Sequence, residues 1–180
     1  MKEIDEIIRT EKAKIDKKMA AKIKSYRDKS NSSLETILDS LEYSLKAGGK
    51  RIRPILTVKV AEMLKGDKDT AYDLGIALEY IHTYSLIHDD LPAMDDDDYR
   101  RGQLSNHKVF GEGMAILAGD ALLTLAFEQL SELNLPSDNK VKIINLTARM
   151  AGYRGMVGGQ SLDLQFEDVS VDFDNLNNIH

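Results

Sequence analysis

Apolar residues recur along most of the chain at three- and four-residue steps, the spacing of one face of an α-helix. Ile4, Ile7, Ile8, Ile15, Met19, Ile23 and Tyr26 form a first broad stripe, closed by the polar stretch from Lys29 to Ser33. Leu34, Ile37, Leu38, Leu41 and Leu45 form a second, and Ser32 with Glu35 has the spacing of a capping box at its start. Gly48–Gly49 should stop that helix, and Pro54 suits the first turn of a third that runs through Leu64. Asp69 or Thr70 can open a fourth helix toward Leu91, where the following Pro92 disfavours helical geometry. Met114 to Leu133 and Val141 to Val157 read as two more helices, parted at Pro136 and Asp138. Nothing alternates convincingly enough for a sheet and no internal repeat is visible, so the pattern predicts an all-α fold.

Composition narrows this picture. A chain of 180 residues with 42% hydrophobic content can bury one sizeable core, and its formal charge of −6 makes nucleic acid an unsuitable partner. Cysteine is absent, which excludes disulfides and thiolate chemistry and agrees with a reducing compartment. The first residues, MKEIDEIIRTEKAKIDKK, are too charged for a signal-peptide core, and no apolar run is expected to reach the roughly 20 residues of a membrane span. A soluble cytoplasmic protein is the expectation.

The candidate chemistry sits where the fourth helix should end. Six of the ten residues from Asp89 to Asp98 are aspartates, followed at once by Tyr99, Arg100, Arg101 and Gly102. Carboxylates at that density repel one another unless water screens them or divalent cations bridge them, and two arginines downstream suit a phosphate that shares those cations. The run is consistent with a Mg2+-diphosphate site or with a solvated loop. Residues seven apart on a helix lie within about 20° of each other, so His82 and Asp89 share a face. Asp95, six residues beyond Asp89, would point elsewhere on an unbroken helix. A break at Pro92 can fold it back, so that Asp89 and Asp95 reach a common cluster of Mg2+ ions. Upstream, GGKRIRP places Lys50, Arg51 and Arg53 after two glycines, a pattern that serves either an anion or an ordinary surface turn.

Taken in order, GGKRIRP, HTYSLIHDDLPAMDDDDYRRG, GDALL at Gly119 to Leu123 and GGQSLDL at Gly158 to Leu164 resemble successive motifs of the trans-isoprenyl diphosphate synthases. DDLPAMD resembles the first aspartate-rich motif with its two-residue expansion, as in bacterial farnesyl diphosphate synthases, or geranyltranstransferases. The resemblance spans about Leu38 to Leu164 and implies an antiparallel helical bundle of the isoprenoid synthase type. It also implies Mg2+ bound by Asp89 and Asp95 with Asp90 in support, isopentenyl diphosphate held by Lys50, Arg53, His82 and Arg101, and an allylic diphosphate, dimethylallyl or geranyl, contacted by Arg100. Asp89, Asp95 and Arg100 are the implied catalytic set. Asp96, Asp97 and Asp98 have weaker claims, at least two of them being expected in solvent or paired with arginines. His88 receives no ligand role and His107 none at all. Tyr84, with the small Ser85 beside it, matches the floor of the chain pocket and implies a C15 product, although Tyr84 could equally be a core residue.

The same resemblance implies further motifs that do not occur in these 180 residues: a lysine-threonine pair, a glutamine-bearing helix and a second DDxxD. Residues 1–180 are therefore expected to be the N-terminal portion of a single synthase domain with its C-terminal helices missing, inactive or nearly so alone, with Asn177 to His180 near the start of the next helix. A homodimer is also implied. Other readings remain. A geranylgeranyl diphosphate synthase differs only in product, and a truncated subunit could act as a non-catalytic partner. A class I terpene cyclase has no use for GGKRIRP and Arg100–Arg101. An HD-type phosphohydrolase starting from His88–Asp89 lacks persuasive further ligands. A calcium loop starting at Asp97 has Gly102 in place but Arg101 at position five and Lys108 at position twelve.

Overall fold

A computed structural model describes residues 2–166; Asn177 to His180 lie outside the described residues. The chain divides into two compact units, Met1–Asn134 and Leu135–His180.

The first unit is built from six helices. Helix α1, Lys2–Lys29, buries Ile15, Met19 and Ile23, one residue per turn, whereas Ile4 and Ile7 at the head of the same stripe are exposed. After a 3-10 turn at Ser32–Leu34, α2 (Glu35–Lys46) buries Leu38, Leu41 and Leu45. The capping box expected from Ser32 and Glu35 does not form. Asn31 instead caps the 3-10 turn, its side chain accepting from the Ser33 amide at 3.1 Å, and α2 itself starts after Leu34 with no side-chain cap, because the turn separates Ser32 from the α-helical start. Gly48 and Gly49 then adopt φ of 90° and 130°, reversing the chain into α3, Ile52–Met63.

Helix α4, Lys68–Asp89, is the central element. It begins before Asp69: Asp67 caps it, accepting from the Thr70 amide at 2.7 Å. Twelve of its 22 residues are buried, so its surroundings are apolar on nearly every side. Gly75 allows α3 to cross closely, since a Cβ there would come within 2.8 Å of Pro54 Cα. On another face lies α6, Glu112–Ser131, which presents Ala115, Ala118, Leu122, Ala126 and Leu130 at three- and four-residue steps. Contrary to expectation, α6 is long and apolar enough in length and composition to cross a membrane. The apolarity serves packing on α4, where small residues let the two helices approach closely and each fully buried leucine contributes roughly 1.5–3 kcal/mol.

The fold is all-α as expected; its one small exception among the described residues is a hairpin between α4 and the short helix α5 (Asn106–Phe110). Strand β1, Tyr99–Arg100, pairs antiparallel with β2, Gln103–Leu104. Arg101 and Gly102 occupy its turn with φ of 55° and 79°; positive φ at both central positions is the mark of a type I′ turn. Strands of two residues are too short to alternate visibly. Asn106 fastens α5 to α2, its amide donating to Ser40 O and Ser44 Oγ at 3.0 and 2.8 Å while Ser40 Oγ donates back at 2.9 Å.

In the second unit, the single helix expected over Val141 to Val157 is two: α7, Ser137–Ala151, and α8, Met156–Gln165. Gly152 and Gly155 break the run, and a Cβ at Gly155 would overlap the Met150 carbonyl. The GGQSLDL segment lies on α8.

Candidate functional site

The C-terminal end of α4 sets the geometry. The last helical residue is Asp89, and Leu91 N donates to His88 O in a tightened final turn. The chain then folds back on itself. Met94 N and Asp96 N both donate to Leu91 O, and Asp95 N donates to Asp89 O at 2.9 Å. Asp95 is thus returned to the helix end, as a break at Pro92 allows. Burial pushes the Asp89 carboxyl above its usual pKa, and the nearby charges of Asp95 and Asp90 push it further.

Asp90 behaves differently. It is buried and its carboxylate receives Arg100 Nε at 2.7 Å together with Arg100 Nη2, while Asp97 adds a longer contact to Nη2 at 3.4 Å. The Arg100 guanidinium, held above its usual pKa first by that hydrogen bond, is therefore oriented by Asp90, and its Nη1 makes no hydrogen bond to a described residue. Asp98 pairs with Lys108 at 2.6 Å. Asp95, Asp96, Asp97 and Asp98 are all exposed.

A cationic group gathers where the hairpin turn meets the glycine turn. Arg101 Nη1 donates to Gly48 O, and a Cβ at Gly49 would overlap the Arg101 guanidinium, so the glycine turn and the hairpin turn meet there. His82, half-buried on α4, is held below its ordinary pKa by burial and then by the charge of Arg53, with Arg101 and Arg51 adding to it. Arg101, exposed as a residue, has its guanidinium tucked against Gly48 and Gly49, and that partial burial, followed by the charges of Arg51 and Arg100, pulls it down likewise. Lys50, Arg53 and Arg101 are exposed and form no ion pair among the described residues. Like charges gathered without counter-ions raise the energy of the free protein, and an anion relieves it.

Arg51 belongs to the fold and not to this cationic group, contrary to the pattern of three cations in GGKRIRP. It is 4% exposed and donates to Asp16 and Glu79, each at 2.8 Å, and to Leu45 O. That grip explains its φ of 53°, which costs a non-glycine residue about 1–2 kcal/mol. Asp16 is 35 positions away and Glu79 is 28, so no local pattern marks either partner.

Below Asp89, Tyr84 is buried and packs edge-on against His88, with ring centroids 5.7 Å apart. Burial, followed by the Asp89 charge, raises the Tyr84 phenol above its usual pKa. Ser85 Oγ donates to His82 O at 3.0 Å. His88 Nε2 lies 3.1 Å from Ile116 O on α6, where only a glycine at position 119 leaves room for its ring. Gly119 opens GDALL, a motif that had marked no site residue by itself.

Mg2+ fits the residues present. Asp89 and Asp95 are gathered at one helix end, and burial followed by the neighbouring carboxylates raises the proton affinity of Asp89, so a hard cation there would take the place of a proton.

Comparison with known proteins gives consistent results. The family model described as polyprenyl synthetase matches residues 34–180. A farnesyl diphosphate synthase of Micrococcus luteus is 54% identical over 142 residues, covering 79% of this chain and 49% of the relative. A geranylgeranyl diphosphate synthase of Cyanophora paradoxa is 52% identical over 147 residues, covering 80% and 49%. Among solved structures, an FPP/GFPP synthase from Zymomonas mobilis superposes with a TM-score of 0.88 at 35% identity, covering 96% of this chain and 63% of its own. The chain spans about half the length of the curated relatives it matches.

Proposed function

The chain belongs to the polyprenyl synthetase family, and on that premise we propose that residues 48–101 form the diphosphate-binding part of a trans-prenyltransferase joining isopentenyl diphosphate to dimethylallyl or geranyl diphosphate. The observation that carries this reading is the convergence on His82 of Arg53 and Arg101, two cations that form no ion pair among the described residues, in the segment that also returns Asp95 to Asp89.

Isopentenyl diphosphate is assigned to Lys50, Arg53, His82 and Arg101. The charges of Lys50, Arg53 and Arg101, joined by His82 when the bound diphosphate restores its proton, neutralise the diphosphate and leave the double bond free to act as the nucleophile. Arg100, oriented by Asp90, turns its remaining N–H groups to the allylic diphosphate. Asp89 and Asp95 would hold Mg2+, which when bound stabilises negative charge on the departing diphosphate. The allylic C–O bond breaks, the double bond of isopentenyl diphosphate attacks the resulting cation, and a proton leaves to the freed diphosphate, so charge and atoms balance. The apolar flank of α4 keeps water from capturing the cation. Tyr84 closes the floor below Asp89, which favours farnesyl diphosphate as product over the longer geranylgeranyl chain.

The test is calorimetric titration of the 180-residue chain with isopentenyl diphosphate and with a non-reactive thiolo analogue of geranyl diphosphate. The analogue is expected to require Mg2+ and to be lost in Asp89→Asn and Asp95→Asn. Isopentenyl diphosphate binding is expected to be independent of Mg2+ and to weaken about tenfold or more in Arg101→Gln. Indifference of both ligands to all three substitutions would overturn the assignment. In a full-length version turning over geranyl and isopentenyl diphosphates, C15 is the expected product length and Tyr84→Ala the change that lengthens it.

A further inference from the structure

Beyond Asp95, a buried histidine approaches two exposed aspartates that the prenyl-transfer reading leaves unused. His107 lies in the first turn of α5 and is only 6% exposed. Its Nδ1 lies 3.1 Å from Ser105 Oγ, and that hydroxyl spends its one proton on the backbone oxygen of Asp98, 3.3 Å away. With Nδ1 engaged by Ser105, Nε2 is the ring nitrogen left to take a ligand. Nε2 is buried and has no hydrogen-bond partner among the described residues. A ring nitrogen of His107 and one carboxylate oxygen each from Asp96 and Asp98 lie within 4.8 Å of one another.

We propose that Asp96, Asp98 and His107 form a binding site for a divalent transition ion of the Zn2+ class, separate from the Asp89–Asp95 pair. Two carboxylates and an imidazole lone pair are all acceptors, a set completed by a cation. The imidazole selects a borderline ion such as Zn2+, Co2+ or Ni2+ over Mg2+, which prefers oxygen throughout. Ser105 supplies the outer hydrogen bond that fixes the tautomer of a ligating histidine. The two aspartates are exposed, so an ion reaches the site from solvent. Lys108, 2.6 Å from one oxygen of Asp98, neutralises that carboxylate in the ion's absence and must yield or share it. The three ligands bracket the hairpin that carries Arg100 and Arg101, and an ion here would brace it.

The test uses Zn2+ alone, titrated into the 180-residue chain by calorimetry, with the histidine rings followed by 15N NMR. One Zn2+ is expected to bind with a shift of the His107 ring nitrogens. Asp96→Asn should weaken it about tenfold or more, and Asp89→Asn should leave it within about threefold. Asp96 is exposed, so its replacement keeps the fold and reads the site directly; His107→Gln is the second variant. Absence of Zn2+ binding, binding indifferent to Asp96→Asn, binding lost in Asp89→Asn or an unmoved His107 ring would each overturn the proposal. The diphosphate assignment stands or falls separately, on Asp89 and Arg101.

Discussion

Arg51 and His82 show how far single residues can be read from a sequence. Lys50, Arg51 and Arg53 look alike in GGKRIRP, yet the structure buries Arg51 between Asp16 and Glu79 and leaves the other two exposed. Because Glu79 is itself 3% exposed, Arg51→Met would strand a buried carboxylate; a loss of about 3–5 kcal/mol in urea unfolding is expected. An unchanged midpoint would mean the pair holds nothing together. The pH behaviour of His82 follows from its lowered pKa. Between that value and the ordinary one of 6.5, the unfolded chain binds more protons than the native chain, so stability falls as pH drops through this window. A bound diphosphate acts in the opposite direction, restoring the charged imidazole. Titrating isopentenyl diphosphate near about pH 6 in buffers of different ionisation enthalpy should therefore reveal proton uptake, absent in His82→Asn. His82 and Asp89 were legible as one face because a helix repeats; the cations around His82 were not, since they come from other elements.

At the scale of elements, helices were legible wherever apolar residues recur on one face, as at Leu38, Leu41 and Leu45. Their ends were read less well. Asn31 and Asp67 do the capping, and several nearby residues could equally have done so on sequence alone. The hairpin at Tyr99–Leu104 escaped notice because two-residue strands carry no period, although its Arg-Gly turn has a glycine where a type I′ turn wants one. Gly102→Val would force a branched side chain into positive φ at a cost of about 1–2 kcal/mol. Relieved by opening the turn, that strain should move Arg101 and lower affinity for isopentenyl diphosphate about tenfold, with little change in overall unfolding. Undiminished affinity would show that Arg101 does not depend on the hairpin. The joining of Tyr84, His88 and Gly119 is likewise a matter of two helices meeting, and neither helix's own periodicity announces it.

For the molecule as a whole, the seam between α4 and α6 supports the site, since α4 carries Tyr84, His82 and Asp89 on one rigid rod. Leu122, fully buried in that seam, should cost about 3–5 kcal/mol when cut to Ala, whereas Leu56→Ala, at a residue 57% exposed, should cost under about 0.5 kcal/mol. Equal effects in chemical denaturation would deny the seam its role. The sequence by itself determined the helical class, the order of the glycine, aspartate and arginine motifs, and the break at Pro92, because each depends on residues close together in the chain. Tertiary structure alone decided which cations stay exposed, which aspartate serves Arg100, and that His107 lies against Asp96 and Asp98. Those outcomes depend on burial and on partners brought from distant segments, and neither is written in local spacing.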